Sequence, residues 1–336
     1  MASLKNRNLS NFLSSFLPFI TIFTAIFLNA DEILAQPASD EFVATQSRPL
    51  KFAIIGDFGS ETTGGGANEA KVSTMVKSWK PEFVITTGDN NYPNGEADTL
   101  DQNVGKQYRD FIYGYKGKFF PTDKPDVNRF FPALGNHDWD CAGCVKKGNP
   151  KPYTDFFDLP GNERYYSFSW GNAEFFVIDS DPRAPDMAGG KNSKQAKWLE
   201  KELKASDSLF RIVYFHHPPY SSGKHGPSPH MQWPFAKWGA SVVLSGHDHT
   251  YERLVIDGIP FVVIGTSGKE LYPFNSKHEG SMLRDNSGHG AILVEDETKA
   301  LVFRYFLSDG KFIDSFRIKA RLQERFKPKK SRSFGL

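Results

Sequence analysis

Five short apolar segments of this chain, each with the length of a β-strand, end in polar residues of a few recurring types. The first three are followed by Gly56-Asp57, Gly88-Asp89 and Gly135-Asn136. Two later segments are followed by His216-His217 and by Gly246-His247. In open α/β sheets, ligands bind at the carboxyl ends of the strands. Side chains that are spread over more than half of the chain are therefore expected to meet at one site.

The order of strands and helices predicts the fold class. Apolar runs at residues 52–55 and 83–87 flank a helix-spaced stretch at 68–80, which is the pattern of a parallel βαβ unit. Toward the end, short polar turns join strands into hairpins. We expect an α/β (α+β) fold of two packed mixed sheets flanked by helices, a four-layer αββα sandwich. Further strands are expected at 130–134, 173–178, 210–215, 241–244, 289–295, 301–306 and 312–318, and helices at 194–205 and 231–238.

The two ends of the chain differ from its body. Lys5 and Arg7 precede an apolar, uncharged run, which is the pattern of an export signal. We expect cleavage between about residues 30 and 36, so that the protein is periplasmic, secreted or extracellular. The alternative is a membrane anchor formed by the uncleaved segment. The expected divisions are a signal at 1–30, a linker at 31–49, a folded domain at 50–319 and a basic disordered tail at 320–336.

The charge distribution argues against nucleic acid as a partner. The net charge is +2, and residues 320–336 alone hold six Lys/Arg and one Glu. The folded body therefore has no excess of positive charge, which nucleic-acid binding would require.

The two cysteines, Cys141 and Cys144, lie close together in a predicted loop. In an exported protein a local disulfide is the expected state. A redox motif would favour a strand-to-helix context, and a structural zinc site would need two further ligands nearby.

The residue types at the strand ends suit metal ions. Carboxylate, phenol, amide and imidazole groups bind hard or borderline metals, and no thiolate is offered among them. Seven such groups are too many for one ion and predict a two-metal centre, with the ions about 3.5–4 Å apart, as for in-line displacement at phosphorus. The predicted ligands are Asp57, Asp89, Tyr92, Asn136, His216, His247 and His249.

The order of these motifs resembles the calcineurin-like metallophosphoesterase superfamily and, within it, the small single-domain purple acid phosphatases. Most of the superfamily has Asp-x-His in the first motif, whereas Asp57 is followed two places later by Gly59. Purple acid phosphatases have instead a tyrosine ligand three residues after the second aspartate, which is Tyr92 here. The resemblance covers about residues 51–319 and makes 50–319 the expected catalytic domain.

The resemblance implies an acid phosphatase that hydrolyses phosphate monoesters at a dinuclear centre, with a metal-bound hydroxide as the nucleophile. One ion would be Fe(III) and the other a divalent iron, zinc or manganese. The ligands would divide into an iron set of Asp57, Tyr92 and His249, a bridging Asp89, and a divalent set of Asn136, His216 and His247.

Several side chains are expected to handle the phosphate. His137 and His225 are candidates for holding it and for donating a proton to the leaving alkoxide. His225 lies nine residues after His216, as in small purple acid phosphatases. Asp138 is expected to orient His137. Asn136 and His217 are further candidates for substrate binding.

Three other functions stay open at this point. A phosphodiesterase or nucleotide hydrolase could use the same scaffold, and a non-catalytic relative could bind metal or phosphate only. Redox chemistry at the iron is a possible side activity. We expect a monomer that acts on small phosphorylated substrates, without stable membrane insertion once the signal is removed.

Overall fold

The computed structural model describes residues 50–297 and 299–321. The predicted signal and linker, and almost all of the predicted basic tail, lie outside this range. The described residues fall within one compact unit, Thr45–Leu336. Of the helices formed by the described residues, none is both long enough and apolar enough to cross a membrane.

The first sheet contains the two strands of the predicted βαβ unit. Its order is β13-β12-β11-β1-β2-β3, and β1, β2 and β3 run parallel to one another. The remaining three strands form the predicted hairpins, and β11 pairs antiparallel with β1. The strands are β1 (Lys51–Ile55), β2 (Phe83–Thr86), β3 (Phe130–Pro132), β11 (Gly290–Asp296), β12 (Ala300–Leu307) and β13 (Phe312–Lys319).

The second sheet has seven strands in the order β10-β8-β9-β7-β6-β5-β4. Its central strands β5, β6, β7 and β9 run parallel. The sequence did not predict β4, β8, β9 or β10. The strands are β4 (Tyr166–Trp170), β5 (Ala173–Val177), β6 (Phe210–Tyr214), β7 (Val242–Ser245), β8 (Tyr251–Ile256), β9 (Ile259–Ile264) and β10 (Ser281–Asp285).

Most of the helices are short and lie in the connections between strands. The predicted helix at 231–238 is wrong as a single element: it is a 3₁₀ turn, Pro229–Met231, followed by the short helix α8 (Phe235–Trp238). Pro234 separates the two, because proline has no N–H for a continuous helix. The helices are α1 (Gly66–Ser78), α2 (Ala97–Leu100), α3 (Lys106–Tyr108), α4 (Asn136–Trp139), α5 (Cys144–Lys147), α6 (Lys151–Phe156), α7 (Lys194–Ala205) and α8 (Phe235–Trp238), with a π-helical turn at Asp101–Gly105 and further 3₁₀ turns at Glu61–Thr63, Arg109–Phe111 and Gly190–Asn192.

Phenylalanines join the two sheets face to face. The ring of Phe175 in the second sheet lies 5.2 Å from Phe52 and 5.4 Å from Phe83 in the first. Phe131 and Phe168 stack across the same interface with centroids 3.8 Å apart. Each such pair contributes about 0.5–1.5 kcal/mol beyond the area that it buries. The two predicted mixed sheets are confirmed, and their packing brings the ends of β1, β2, β3, β6 and β7 together.

The cysteines Cys141 and Cys144 form the expected disulfide. It closes the loop that links α4 to α5, next to the edge of the sheets where the strands end.

Candidate metal centre

Loops from both sheets meet at the edge where the parallel strands end. The backbone N–H of Asp57, after β1, donates to the carbonyl of Gly88, after β2, at 3.1 Å. From the second sheet, Gly246 lies so close to Asp57 that a Cβ at Gly246 would be 2.4 Å from the Asp57 Oδ2. Only glycine fits at this position. The close approach brings the histidines that follow Gly246 against the carboxylate of the first sheet.

Three of the predicted ligands have an unusual backbone conformation. Asp57, Asp89 and His247 have φ angles of 53°, 51° and 71°, which lie in the left-handed region. Such conformations cost about 1–3 kcal/mol each and persist where surrounding structure enforces them, often at functional sites. All three residues come two or three positions after the ends of β1, β2 and β7, where the loops of the two sheets meet.

The predicted iron set is tightly packed around the phenol of Tyr92. The Tyr92 Oη donates to the Asp89 Oδ2 at 2.9 Å and lies 3.3 Å from both the Asp57 Oδ1 and the His249 Nε2. The His249 Nδ1 is 2.6 Å from the carbonyl of Glu270. Since a carbonyl can only accept, this bond places the proton on Nδ1 and leaves the Nε2 lone pair directed at the centre.

The predicted divalent set surrounds His216 in the same way. The His216 Nε2 lies 3.0 Å from the Asn136 Oδ1, 3.1 Å from the His247 Nδ1 and 3.3 Å from the Asp89 Oδ2. The His216 Nδ1 donates to the carbonyl of Thr87 at 3.0 Å, so Nε2 again presents its lone pair. Asp89 therefore contacts both sets, as a bridging ligand would.

The electrostatics of the cluster favour cations between its side chains. Burial, followed by the charges of Asp89 and Asp57, raises the pKa of Tyr92 well above its usual range. Burial disfavours the charged form of His216, but the carboxylate of Asp89 outweighs it and raises the pKa to about 9. Burial and the neighbouring His216 lower the pKa of His247 to about 2. The imidazoles cannot all be protonated together, whereas two metal ions would use the same lone pairs, so the donor set fits a dinuclear centre.

The three histidines predicted to handle phosphate surround the same space. The ring of His137 is 4.4 Å from that of Tyr92, with Nδ1 held at 2.6 Å by the carbonyl of Pro93. The ring of His225 is 4.4 Å from that of His247. His217 is buried 4.6 Å from His247 and bonds through Nδ1 to the Ser180 Oγ at 3.0 Å. The structure thus brings all ten predicted residues together.

The expected role of Asp138 is wrong. Its carboxylate accepts hydrogen bonds from the backbone N–H groups of Asn90 and Gly135 and from the Asn90 side chain. Successive helical residues point about 100° apart, so in α4 Asp138 faces inward while His137 faces the site. Asp138 therefore holds the loops after β2 and β3 rather than His137.

The sequence analysis missed residues that support the ligands. Ser180, after β5, accepts from the backbone N–H groups of both His216 and His217. Tyr272 stacks on His249 with centroids 3.9 Å apart and planes within 13°. The Arg183 Nη2 donates to the Asn136 carbonyl at 3.0 Å. Ser180 follows a predicted strand end and could have been suspected, but the other two lie on loops without a motif.

Comparisons with known proteins agree with this geometry. A family model described as calcineurin-like phosphoesterase matches residues 50–251. Human tartrate-resistant acid phosphatase type 5 is 25% identical over 318 residues, which cover 83% of this chain and 92% of the relative. A purple acid phosphatase of Glycine max is 26% identical over 226 residues, 61% of this chain and 44% of the relative.

Two solved structures have the same fold. A purple acid phosphatase from yellow lupin (Lupinus luteus) seeds has a TM-score of 0.65 at 22% identity, and the match covers 82% of this chain and 54% of that one. GAP50, described as the anchor in the inner membrane complex of Plasmodium, has a TM-score of 0.61 at 18% identity, covering 82% of this chain and 90% of that one.

Proposed function

This chain belongs to the calcineurin-like phosphoesterase family, and from that premise we propose that it is an acid phosphatase that hydrolyses phosphate monoesters at a dinuclear Fe(III)–M(II) centre. The predicted resemblance to purple acid phosphatases and the prediction of a hydrolase are confirmed by the similarities to named acid phosphatases. What we propose for this chain is the identity of its two metals and the reaction that it catalyses. Because one fold can carry different functions, its support must come from the site.

The observation that carries the proposal is the position of the Tyr92 hydroxyl. It lies within 3.3 Å of two carboxylates and one imidazole nitrogen. A phenol surrounded by carboxylates stays protonated unless a strong Lewis acid takes the place of its proton. A phenolate is a hard, charged donor that suits Fe(III). Asn136, His216 and His247 are neutral donors that suit a divalent ion.

The roles of the residues follow from these two sets. Ions held by these residues would supply a nucleophile derived from water and would stabilise the charge of the phosphoryl group. His137 lies beside Tyr92 and His225 beside His247, where they can hold the phosphate and donate a proton to the leaving group. His217 is buried and bonded to Ser180, and a ring nitrogen of it lies within 4.8 Å of ring nitrogens of His216 and His247, so its predicted contact with the phosphate stays part of the proposal.

The substrates we propose are small phosphate monoesters, on the strength of the acid phosphatases among the relatives. Comparing hydrolysis rates for an aryl phosphate monoester and the matching diester tests this choice. A clear preference for the diester would favour the phosphodiesterase alternative.

Metal analysis with a visible spectrum of the purified protein tests the centre. We expect one iron and one divalent ion, with a broad phenolate-to-iron absorption band that a Tyr92→Phe variant loses. Tyr108→Phe is the matched control, because Tyr108 is equally buried but lies outside the ligand set. Two zinc ions and no band would contradict the iron assignment while leaving hydrolysis possible.

We also propose export through a cleaved N-terminal signal, a catalytic domain at 50–319 and a monomeric state. The mass of the mature chain and its mass in solution test these points. A mature chain that keeps residues 1–30 would favour the membrane-anchor alternative.

A further inference from the structure

Lys269 lies on a loop after β9 that is locked against the first ligand loop. The Lys269 backbone N–H donates to the carbonyl of Asp57 at 3.0 Å, and that of Ser267 to the carbonyl of Gly56 at 3.1 Å. Between them, Gly268 approaches so closely that a Cβ there would lie 2.4 Å from the carbonyl oxygen of Phe58. The lysine backbone is therefore fixed relative to the metal ligands.

The side chain of Lys269 extends over the ring of Tyr92. Its Nζ lies 5.3 Å from the centroid of that ring, within the range of a cation–π interaction. The Nζ also contacts the Glu270 Oε2 at 2.9 Å. The lysine side chain is only 20% exposed, whereas that of Glu270 is 62% exposed. The ammonium charge therefore acts on the exposed Glu270 carboxylate and, through the water-poor interior, on the buried ring of Tyr92.

We propose that Lys269 is a positioning residue that sets how strongly Tyr92 donates electrons to the iron. This inference rests on the proposed function, since it needs iron bound to Tyr92. A positive charge over the ring stabilises the phenolate and holds its electrons at lower energy. Charge transfer from Tyr92 to Fe(III) then needs more energy, and the nearby positive charge favours the reduced iron, which raises its reduction potential.

The chain offers a matched control for this effect. Lys224 also places its Nζ over a tyrosine ring at this site, 4.3 Å from the centroid of Tyr272. Tyr272 stacks on His249 but is not among the predicted ligands. Removing the charge of Lys224 therefore tests a similar change in total charge near the centre without touching the donor ring.

The experiment compares the metal-loaded full chain with Lys269→Met, Lys269→Arg and Lys224→Met. The measurements are the position of the phenolate-to-iron band and the Fe(III)/Fe(II) midpoint potential. We expect Lys269→Met to shift the band to longer wavelength and to lower the potential. Lys269→Arg, which keeps the charge, and Lys224→Met should both stay close to the wild type.

The outcomes separate this inference from the function on which it rests. No band in the wild type would contradict the iron–phenolate centre itself. A wild-type band that stays in place in Lys269→Met, or that moves equally in Lys224→Met, would overturn the role of Lys269 alone. If Lys269→Met binds too little iron to measure, iron retained by Lys269→Arg supports the role of the charge, and iron lost by Lys269→Arg as well contradicts it.

Discussion

The two halves of the centre differ in burial and in the charge of their donors. Asp57, Tyr92 and His249, the proposed iron half, are at most 3% exposed. In the proposed divalent half, His216 is buried but Asn136 and His247 are only half-buried. Anionic donors thus lie in the buried half and neutral donors in the open half. Burying anionic donors is costly unless a strong cation accompanies them, whereas neutral donors need none.

The supports of the two halves differ as well. In the buried half, His249 is held by a carbonyl and by the stacked ring of Tyr272. In the open half, the Ser180 hydroxyl accepts hydrogen bonds from the backbone N–H groups of His216 and His217. Arg183, which is partly exposed, donates to the backbone carbonyl of Asn136. If the proposed metals are bound, the difference predicts a fixed ion in the buried half and an ion and substrate that exchange with solvent in the open half.

The largest expected effect distinguishes the role of His137, which lies beside the buried half, from that of His225, which lies beside the open half. His137 lies over Tyr92 and is anchored through Nδ1 to the Pro93 carbonyl, which leaves Nε2 for the leaving group. We expect His137→Gln to lower kcat/KM about 10²-fold more for an alkyl phosphate than for 4-nitrophenyl phosphate, because only the alkoxide needs a proton. His225→Gln should raise KM equally for both substrates. The reverse pattern would assign proton donation to His225.

The next prediction compares the residues that support the ligands of the two halves. Tyr272→Leu removes the ring that is stacked on His249, and Ser180→Ala removes the hydroxyl that accepts from His216 and His217. Residues that orient metal ligands typically contribute about 10–100-fold to metal affinity. We therefore expect Tyr272→Leu to lower the affinity for iron, and Ser180→Ala the affinity for the divalent ion, by about this factor. Titration with a chelator, followed metal by metal, measures both. If both variants lose both ions equally, the halves do not behave as separate sites.

The last prediction concerns stability rather than catalysis, and it tests a residue that supports the loop of the buried half. Glu69 is fully buried and accepts from the backbone N–H of Ser60, in the loop that follows Asp57. Burial raises the pKa of Glu69 well above its ordinary 4.5, so the folded protein keeps the proton that the unfolded chain releases. Stability is then lost as the pH rises above 4.5, by up to about 1.4 kcal/mol per pH unit.

Glu69→Gln should remove this loss, because glutamine resembles the protonated acid and does not titrate. The variant should gain stability relative to the wild type between pH 5 and 7, and the two should converge near pH 4. Urea unfolding at several pH values measures the difference. A difference that is independent of pH would contradict a protonated Glu69.

The sequence predicted which residues meet at one edge of the sheets, because each lies shortly after a strand that is recognisable by itself. The apolar runs that lead to Asp57 and Asp89 are fully buried strands, and every predicted strand has bounds within two residues of those in the structure. It missed β8 (Tyr251–Ile256), in which Glu252 and Arg253 interrupt the apolar pattern. There, Arg253 pairs with Asp314, far along the chain, and no local pattern reveals this contact.

By itself, the sequence determined which chemical groups this protein carries at its strand ends and the order in which they occur. Only the tertiary structure decided that the predicted iron set is buried and the predicted divalent set is partly open to solvent. The burial of Tyr92, the stacking of Tyr272 on His249 and the position of Lys269 all depend on contacts between distant loops. Local patterns record which face of a strand is buried, but they cannot record which loops face each other once two sheets have packed.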